Sequence, residues 1–204
     1  DVIDVIQEEA TEDMYRIVGL TADESVYASL SESTRRRLPW LLINLIAAFA
    51  AAAMVAIFEG TIEKAAALAV FMPIVAGQGG NAGIQTITIV VRGMAVGEIE
   101  LRDARRILEK EIAIGIVKGV AIGAVVGLIA AIWQGAWAWG LVVGLALLGN
   151  MLVAGAVGSL IPLGLRSLRL DPAVASGIFL TMVTDAAGFL FLLGLATLLI
   201  DHLT

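Results

Sequence analysis

Five long apolar runs alternate with short polar segments along this chain. The first follows Arg35-Arg36-Arg37 and runs from Leu38-Pro39-Trp40 to Phe58. Pro39 suits a helix start and Trp40 a membrane interface. The second run covers Ala65 to Val91, the third Ile107 to Trp133 and the fourth Gly140 to Leu165. The fifth opens at Asp171-Pro172 and carries an apolar stretch from Gly177 to Ile200. Each supplies the roughly 20 residues of helix that a bilayer core requires. The pattern predicts an all-α, polytopic membrane protein with five transmembrane helices. Upstream, Val2, Val5, Ile6, Met14, Ile17 and Val18 recur at helical spacing within residues 1–20. Their apolar face is thin for a free-standing domain. Residues 21–34 are polar and read as a linker or a further helix outside the membrane. The expected division is therefore 1–34, an acidic cytosolic segment, and 35–204, the five-helix membrane domain.

The polar exceptions inside the apolar runs are the candidates for chemistry. In the fifth run Gly177, Thr181, Asp185 and Gly188 fall at i, i+4, i+8 and i+11, with Thr184 beside them. A carboxylate at membrane depth is costly, and such groups default to function. The stripe around it suits either a wet path or close packing on another helix. The second run contains PIVAGQGGNAGIQT, residues 73–86, in which Pro73 and Gly77, Gly79, Gly80 and Gly83 weaken a helix and Gln78, Asn81 and Gln85 add amides. Two readings stand for it: close helix packing, or a broken helix whose freed backbone and amides line an ion path. It lacks the Lys-Ser/Thr ending of a phosphate loop. In the third run Glu109, Lys110 and Glu111 lie near the start and are expected at the interface, partly solvated, with Glu111 facing a pore mouth as the other reading. Lys118 lies two turns further in, either snorkelling or neutralising an acid such as Asp185. In the fourth, Gly149, Gly155 and Gly158 suit close packing. Trp133, Trp137 and Trp139 form an interfacial belt.

Composition sharpens this picture. The 204 residues are 59% hydrophobic, above the roughly 45–50% of soluble domains. There is no cysteine, and the single histidine, His202, sits at the end of the chain. Thiolate sites, disulfides and a buried catalytic histidine are thereby excluded, and one lone aspartate makes no protease dyad; an enzyme is not expected. Residues 1–34 hold nine acids against Arg16, a balance of −8, while the remainder holds ten acids against twelve bases. An acidic start is unlike a signal peptide, and the absence of an initial Met predicts a piece of a longer protein. Basic residues decide orientation. Arg35, Arg36, Arg37, Arg92, Arg102, Arg105, Arg106, Arg166 and Arg169 flank one side, and Lys64 alone the other. The positive-inside rule then puts the N-terminus in the cytoplasm and the C-terminus outside.

The ligands at membrane depth are carboxylate, amide, hydroxyl and backbone carbonyl, which favour hard cations: Mg²⁺, Ca²⁺ or Mn²⁺. One carboxylate is little for a divalent ion, but a homodimer would bring two Asp185 side chains across a twofold axis. Two carboxylates plus retained water suit Mg²⁺, which dehydrates reluctantly. Glu59 and Glu63 read mainly as solvated.

These residues resemble the MgtE family of magnesium channels. The resemblance rests on residues 73–85 as the family's glycine-rich second helix, on Arg105-Arg106 leading to Lys110-Glu111, on Asp171-Pro172 opening the fifth helix, and on Thr184-Asp185 followed by Gly188. It covers about residues 35–200. Residues 1–34 look like the tail of the family's tandem CBS domain and the start of its connecting helix. One position departs: Gly177 stands where some members look to carry an amide. The resemblance implies a homodimer in the cell (inner/plasma) membrane, with an ion path on its twofold axis lined by the second and fifth helices. It implies that Asp185 binds a largely hydrated Mg²⁺ and that Asn81, Gln85, Gly177, Thr181, Thr184 and Gly188 line the path. Mg²⁺ is then both the ion transported and a regulatory ligand, closing the pore through cytosolic domains. The expected partners are the bilayer, divalent cations and a second copy, with no nucleic acid. The alternatives are a Na⁺- or H⁺-coupled divalent cation transporter and a non-conducting membrane scaffold.

Overall fold

The computed structural model describes residues 12, 15–20, 24–172 and 176–203. Regular structure among them is helical throughout: α1 (Leu30–Ile57), α2 (Glu59–Lys64), α3 (Leu68–Ala95), a 3₁₀ turn (Leu101–Asp103), α4 (Ala104–Gln134), α5 (Trp137–Ser167), α6 (Ser176–Leu198) and α7 (Ile200–Leu203). Residues 15–17 are also helical, and most of the helix expected over 1–20 lies outside the described residues.

Among the described residues four stretches are long and apolar enough to cross a membrane: Leu30–Ile57, Leu101–Gln134, Trp137–Ser167 and Ser176–Leu198, with mean hydropathy between 2.0 and 2.4. They account for four of the five expected spans. The fifth candidate, α3, has the length, 28 residues, but Gln78, Asn81 and Gln85 dilute its apolar content.

α5 is the axle of the bundle. Val142, Val143, Ala146, Leu147, Asn150, Met151 and Ala154 are all buried, because α3, α4 and α6 pack around it. The α4–α5 contact is made by glycine. Gly115, Gly119, Gly123 and Gly127 recur every fourth residue and form the buried edge of α4. A Cβ at Gly123 would stand 2.7 Å from the Gly144 carbonyl oxygen, and one at Gly127 2.6 Å from that of Gly140. The two backbones touch, as small residues allow in membrane helices. This series was as readable in the sequence as the glycines of the fourth run, and is the larger packing device. α1 is the opposite case: only Ala47 and Ala51 are buried, and its large apolar side chains face outward.

Local signals explain where the elements depart from the sequence reading. α1 begins at Leu30, well before Pro39, because Ser29 caps it and its Oγ accepts from the Glu32 N–H at 3.3 Å. Pro39 lies inside the helix and removes one bond, to the carbonyl of Arg35, an exposed residue. Glu59–Lys64, between the first two apolar runs, is a short helix. α3 is one unbroken helix, which corrects the broken-helix reading. Each of its glycines lowers helix propensity by up to about 1 kcal/mol, but packing overrides propensity: Gly79 and Gly83 are the positions where Asn150 of α5 and Leu180 of α6 lie against the backbone. Its end is capped by Arg166, whose Nη1 donates to the Met94 carbonyl at 3.1 Å. Trp139 is buried against Phe71 rather than placed in an interfacial belt, while Trp133 and Trp137 are exposed.

Candidate cation site

The polar stripe of α6 divides between two environments. A helix turns 100° per residue, so each i+4 step drifts by about 40°. From Gly177, Thr181 is therefore displaced by about 40° and Asp185 by about 80°, while Thr184 and Gly188 stay within about 20°. Burial follows that drift. Gly177, Thr184 and Gly188 are buried, Thr181 is exposed and Asp185 is half-buried. A side chain at 177 would overlap the carbonyl oxygen of Ile17, and one at 188 the amide of Asn150. Thr181 and Thr184 donate to the carbonyls of Gly177 and Leu180, both at 2.9 Å, as helical hydroxyls commonly do. Asp185 has no hydrogen-bond or ion-pair partner among the described residues. The pairing with Lys118 does not occur; Lys118 Nζ donates instead to Gln85 Oε1 at 2.9 Å.

α3 also has two faces. Gly79, Ala82, Gly83, Thr86 and Ile87 are buried, whereas Gly77, Asn81, Ile84, Gln85 and Thr88 are exposed. A Cβ added at Gly77 or Gly80 would meet nothing within 4 Å. The contacts of Gly83 with Leu180 and of Val75 with Gly188 set α3 antiparallel to α6. They bring Gln78 level with Asp185 along the helix axes, and place Asn81 about one turn and Gln85 about two turns away. Gln78 was legible as an amide in the Gly-rich run, but its height relative to Asp185 depends on a register that no single helix encodes.

Behind this surface, Asn150 of α5 bonds to α3 and packs against Gly188 of α6. It is fully buried, and its Nδ2 donates to the Val75 carbonyl at 2.8 Å. The bareness of Gly79 and Gly188 makes room for it. Its Oδ1 is buried without a hydrogen-bond partner among the described residues. An amide held this way fixes the spacing of the two helices that bear Gln78 and Asp185.

The charged start of α4 is not uniformly solvated. Glu109 is exposed and pairs with Arg105 at 2.7 Å, and Lys110 is exposed. Glu111 is 7% exposed and accepts a hydrogen bond from Thr86 Oγ1 at 2.9 Å, so the interfacial reading is corrected for this residue. It is drawn inward because Gly115 and Gly155 let α4 and α5 approach closely.

No three carboxylate or imidazole side chains converge among the described residues. Within one chain Asp185 therefore presents a single carboxylate with amides and a hydroxyl nearby, an all-oxygen set that suits a hard cation keeping most of its water. The family described as MgtE, divalent cation transporter, matches residues 72–195. This chain belongs to the MgtE family. The matched span covers α4, α5 and nearly all of α3 and α6, and so includes both faces described above. The magnesium transporter MgtE of Enterococcus faecalis is 33% identical over 99% of the chain and 44% of its own length. Those of Bacillus subtilis and Thermus thermophilus are each 32% identical, over 100% and 98% of the chain and 45% of their own lengths. The MgtE-family chain thus spans less than half the length of these curated relatives.

Proposed function

We propose that this chain is the membrane portion of a Mg²⁺ channel that admits Mg²⁺ to the cytoplasm down its gradient. In this reading α3 is a fifth span, two copies associate about a twofold axis, and the exposed faces of α3 and α6 enclose the ion path. Asp185 is the ion-binding carboxylate. Gln78, Asn81, Gln85 and Thr181 line the path, with Gly177, Thr184 and Gly188 supporting it from behind. The N-terminus is cytoplasmic, and segments preceding the membrane domain close the path when intracellular Mg²⁺ is high.

The observation that carries this reading is Asp185: a half-buried carboxylate in an apolar helix, with no partner among the described residues, level with an amide on a second helix. Such a charge is retained against a large desolvation cost when an ion completes it. The names of the relatives supply Mg²⁺ as the ion.

The test is Mg²⁺ uptake by the full-length protein in proteoliposomes. Asp185→Asn should cut uptake by about a hundredfold while the protein elutes as wild type does. Undiminished uptake in that variant would overturn the assignment. Uptake that follows an imposed Na⁺ or proton gradient would replace the channel with a coupled transporter, and a folded protein without any flux would leave a scaffold.

A further inference from the structure

A cavity of about 340 Å³ lies apart from the faces assigned to the ion path. It is lined by Ile57 and Phe58 at the end of α1, Gly60, Thr61 and Lys64 of α2, Thr197 of α6 and Ile200 of α7. Ile57 and Leu198 close two of the stretches long and apolar enough to cross a membrane. The cavity therefore sits where hydrocarbon gives way to lipid headgroups. Its walls follow that boundary. Ile57, Phe58 and Ile200 are apolar, while Lys64 and the two threonines are polar.

Among the described residues Lys64 is the only lysine or arginine at this end of the bundle, and it makes no ion pair. Glu59 and Glu63 share its helix but stand five residues and one residue before it, not the three or four at which helical charges meet. Residues 60, 61 and 64 fall within one sector of about 100°, and the two acids fall outside it. The hydroxyls are oriented as well. Thr197 Oγ1 donates to the Leu193 carbonyl at 2.7 Å. The 2.7 Å contact between Thr61 Oγ1 and Thr197 Oγ1 is then a donation from Thr61, since each hydroxyl has one hydrogen to give. Both hydrogens are spent, and the threonines still offer oxygen lone pairs. The cavity thus combines one cationic donor with hydroxyl acceptors above an apolar wall.

We propose that this cavity binds the headgroup of a phospholipid that carries both a phosphate and a primary ammonium, as phosphatidylethanolamine does. The phosphate meets the Lys64 ammonium in a charge-assisted pairing. The lipid's own ammonium donates to the threonine oxygens, and its glycerol end lies against Ile57, Phe58 and Ile200. A zwitterion suits this end of the molecule better than an anionic lipid. Glu59, Glu63 and Asp201, all exposed, set three acids against one base there. A choline headgroup would bring no N–H to the threonines. The site also has a mechanical consequence. α1 buries only Ala47 and Ala51, and the Thr61–Thr197 hydrogen bond joins α2 to α6 beside the cavity. A lipid seated there braces α1 and α2 against the helix that carries Asp185. The site stands independently of the proposed ion path.

Native mass spectrometry of the full-length protein in detergent tests this, with dioleoyl phosphatidylethanolamine, phosphatidylglycerol and phosphatidylcholine added singly. Wild type should bind phosphatidylethanolamine most tightly, and that lipid should raise its thermal midpoint. Lys64→Gln should weaken the binding about tenfold, the loss of one charged hydrogen bond, and Lys64→Arg should restore it. Gly60→Leu keeps the lysine and fills the cavity. A Cβ at Gly60 meets nothing within 4 Å, so the variant should fold and lose the same lipid. Lys110→Gln, at the opposite end, should bind as wild type does. Replacing Glu59 and Glu63 together by Gln should let phosphatidylglycerol compete. Undiminished phosphatidylethanolamine binding in either Lys64→Gln or Gly60→Leu would overturn the proposal. So would a wild-type protein that binds phosphatidylcholine or phosphatidylglycerol equally well.

Discussion

The α4–α5 pair and the exposed faces of α3 and α6 are built from the same small residue and use it in opposite ways. In the pair, Gly115, Gly119, Gly123 and Gly127 each lie where a Cβ would press on the partner helix, between 2.6 and 2.9 Å from its nearest atom. Around Gly77 and Gly80 of α3 there is nothing within 4 Å. One set is consumed by packing inside the chain, and the other leaves a bare backbone beside Gln78 and Asn81, facing outward. A glycine run in a membrane helix is thus informative only once its neighbours are known. Where backbone meets it, the glycine explains the fold; where space meets it beside polar groups, the surface is left for an ion, water or another copy.

That contrast can be broken in graded ways. The largest effect is expected at Asp185, where Asp185→Asn should cut Mg²⁺ uptake by about a hundredfold without loss of folded protein, since a neutral amide gives up the charge attraction that holds a hydrated ion at low dielectric. Next comes Gly123→Leu, which drives a branched side chain into the Gly144 backbone. Overpacking of this kind costs about 1–3 kcal/mol and more where backbone must move, and should appear as a lower thermal midpoint or as failure to insert. Asn150→Leu should cost about 1–2 kcal/mol, since it removes the bond to Val75 while leaving an acceptor carbonyl that retains its own helical partner. Gly80→Ala is the sharpest discriminator despite its small size. It should raise helix stability by up to about 1 kcal/mol and yet lower uptake, because the added methyl points to open space within the chain. If Gly80→Ala lowers stability as Gly123→Leu does, the two glycine sets are not different in kind.

Much of the helical layout was legible because it follows from local rules. Apolar runs marked the cores of α1, α4, α5 and α6, and Ser29 with Glu32 three residues later was a readable N-cap for α1 that Pro39 obscured. Asp185 was legible as an expensive charge. Its lack of a partner was not, since Lys118 stood in the sequence as an equally good counter-ion, and only the crossing of α3 with α4 gives Lys118 to Gln85. Glu111 was misjudged for a related reason: nearness to the end of an apolar run suggests solvent, but Gly115 and Gly155 pull that turn of α4 against α5.

What the sequence by itself determined is the set of helices and the poverty of its ligands: no thiolate, one terminal imidazole, and a few carboxylates and amides in apolar surroundings. These are local and compositional properties, and nothing in packing can add to them. The tertiary structure decided which side of each helix is spent. The same spacing of four residues carried Gly177 to a buried position and Asp185 to an open one, because an α-helix turns slightly further than a full circle in four residues and the neighbours of α6 cover only one sector. Whether a polar residue faces protein or an open surface is settled by that angle and by the register of the adjoining helix. Neither is written in any one segment.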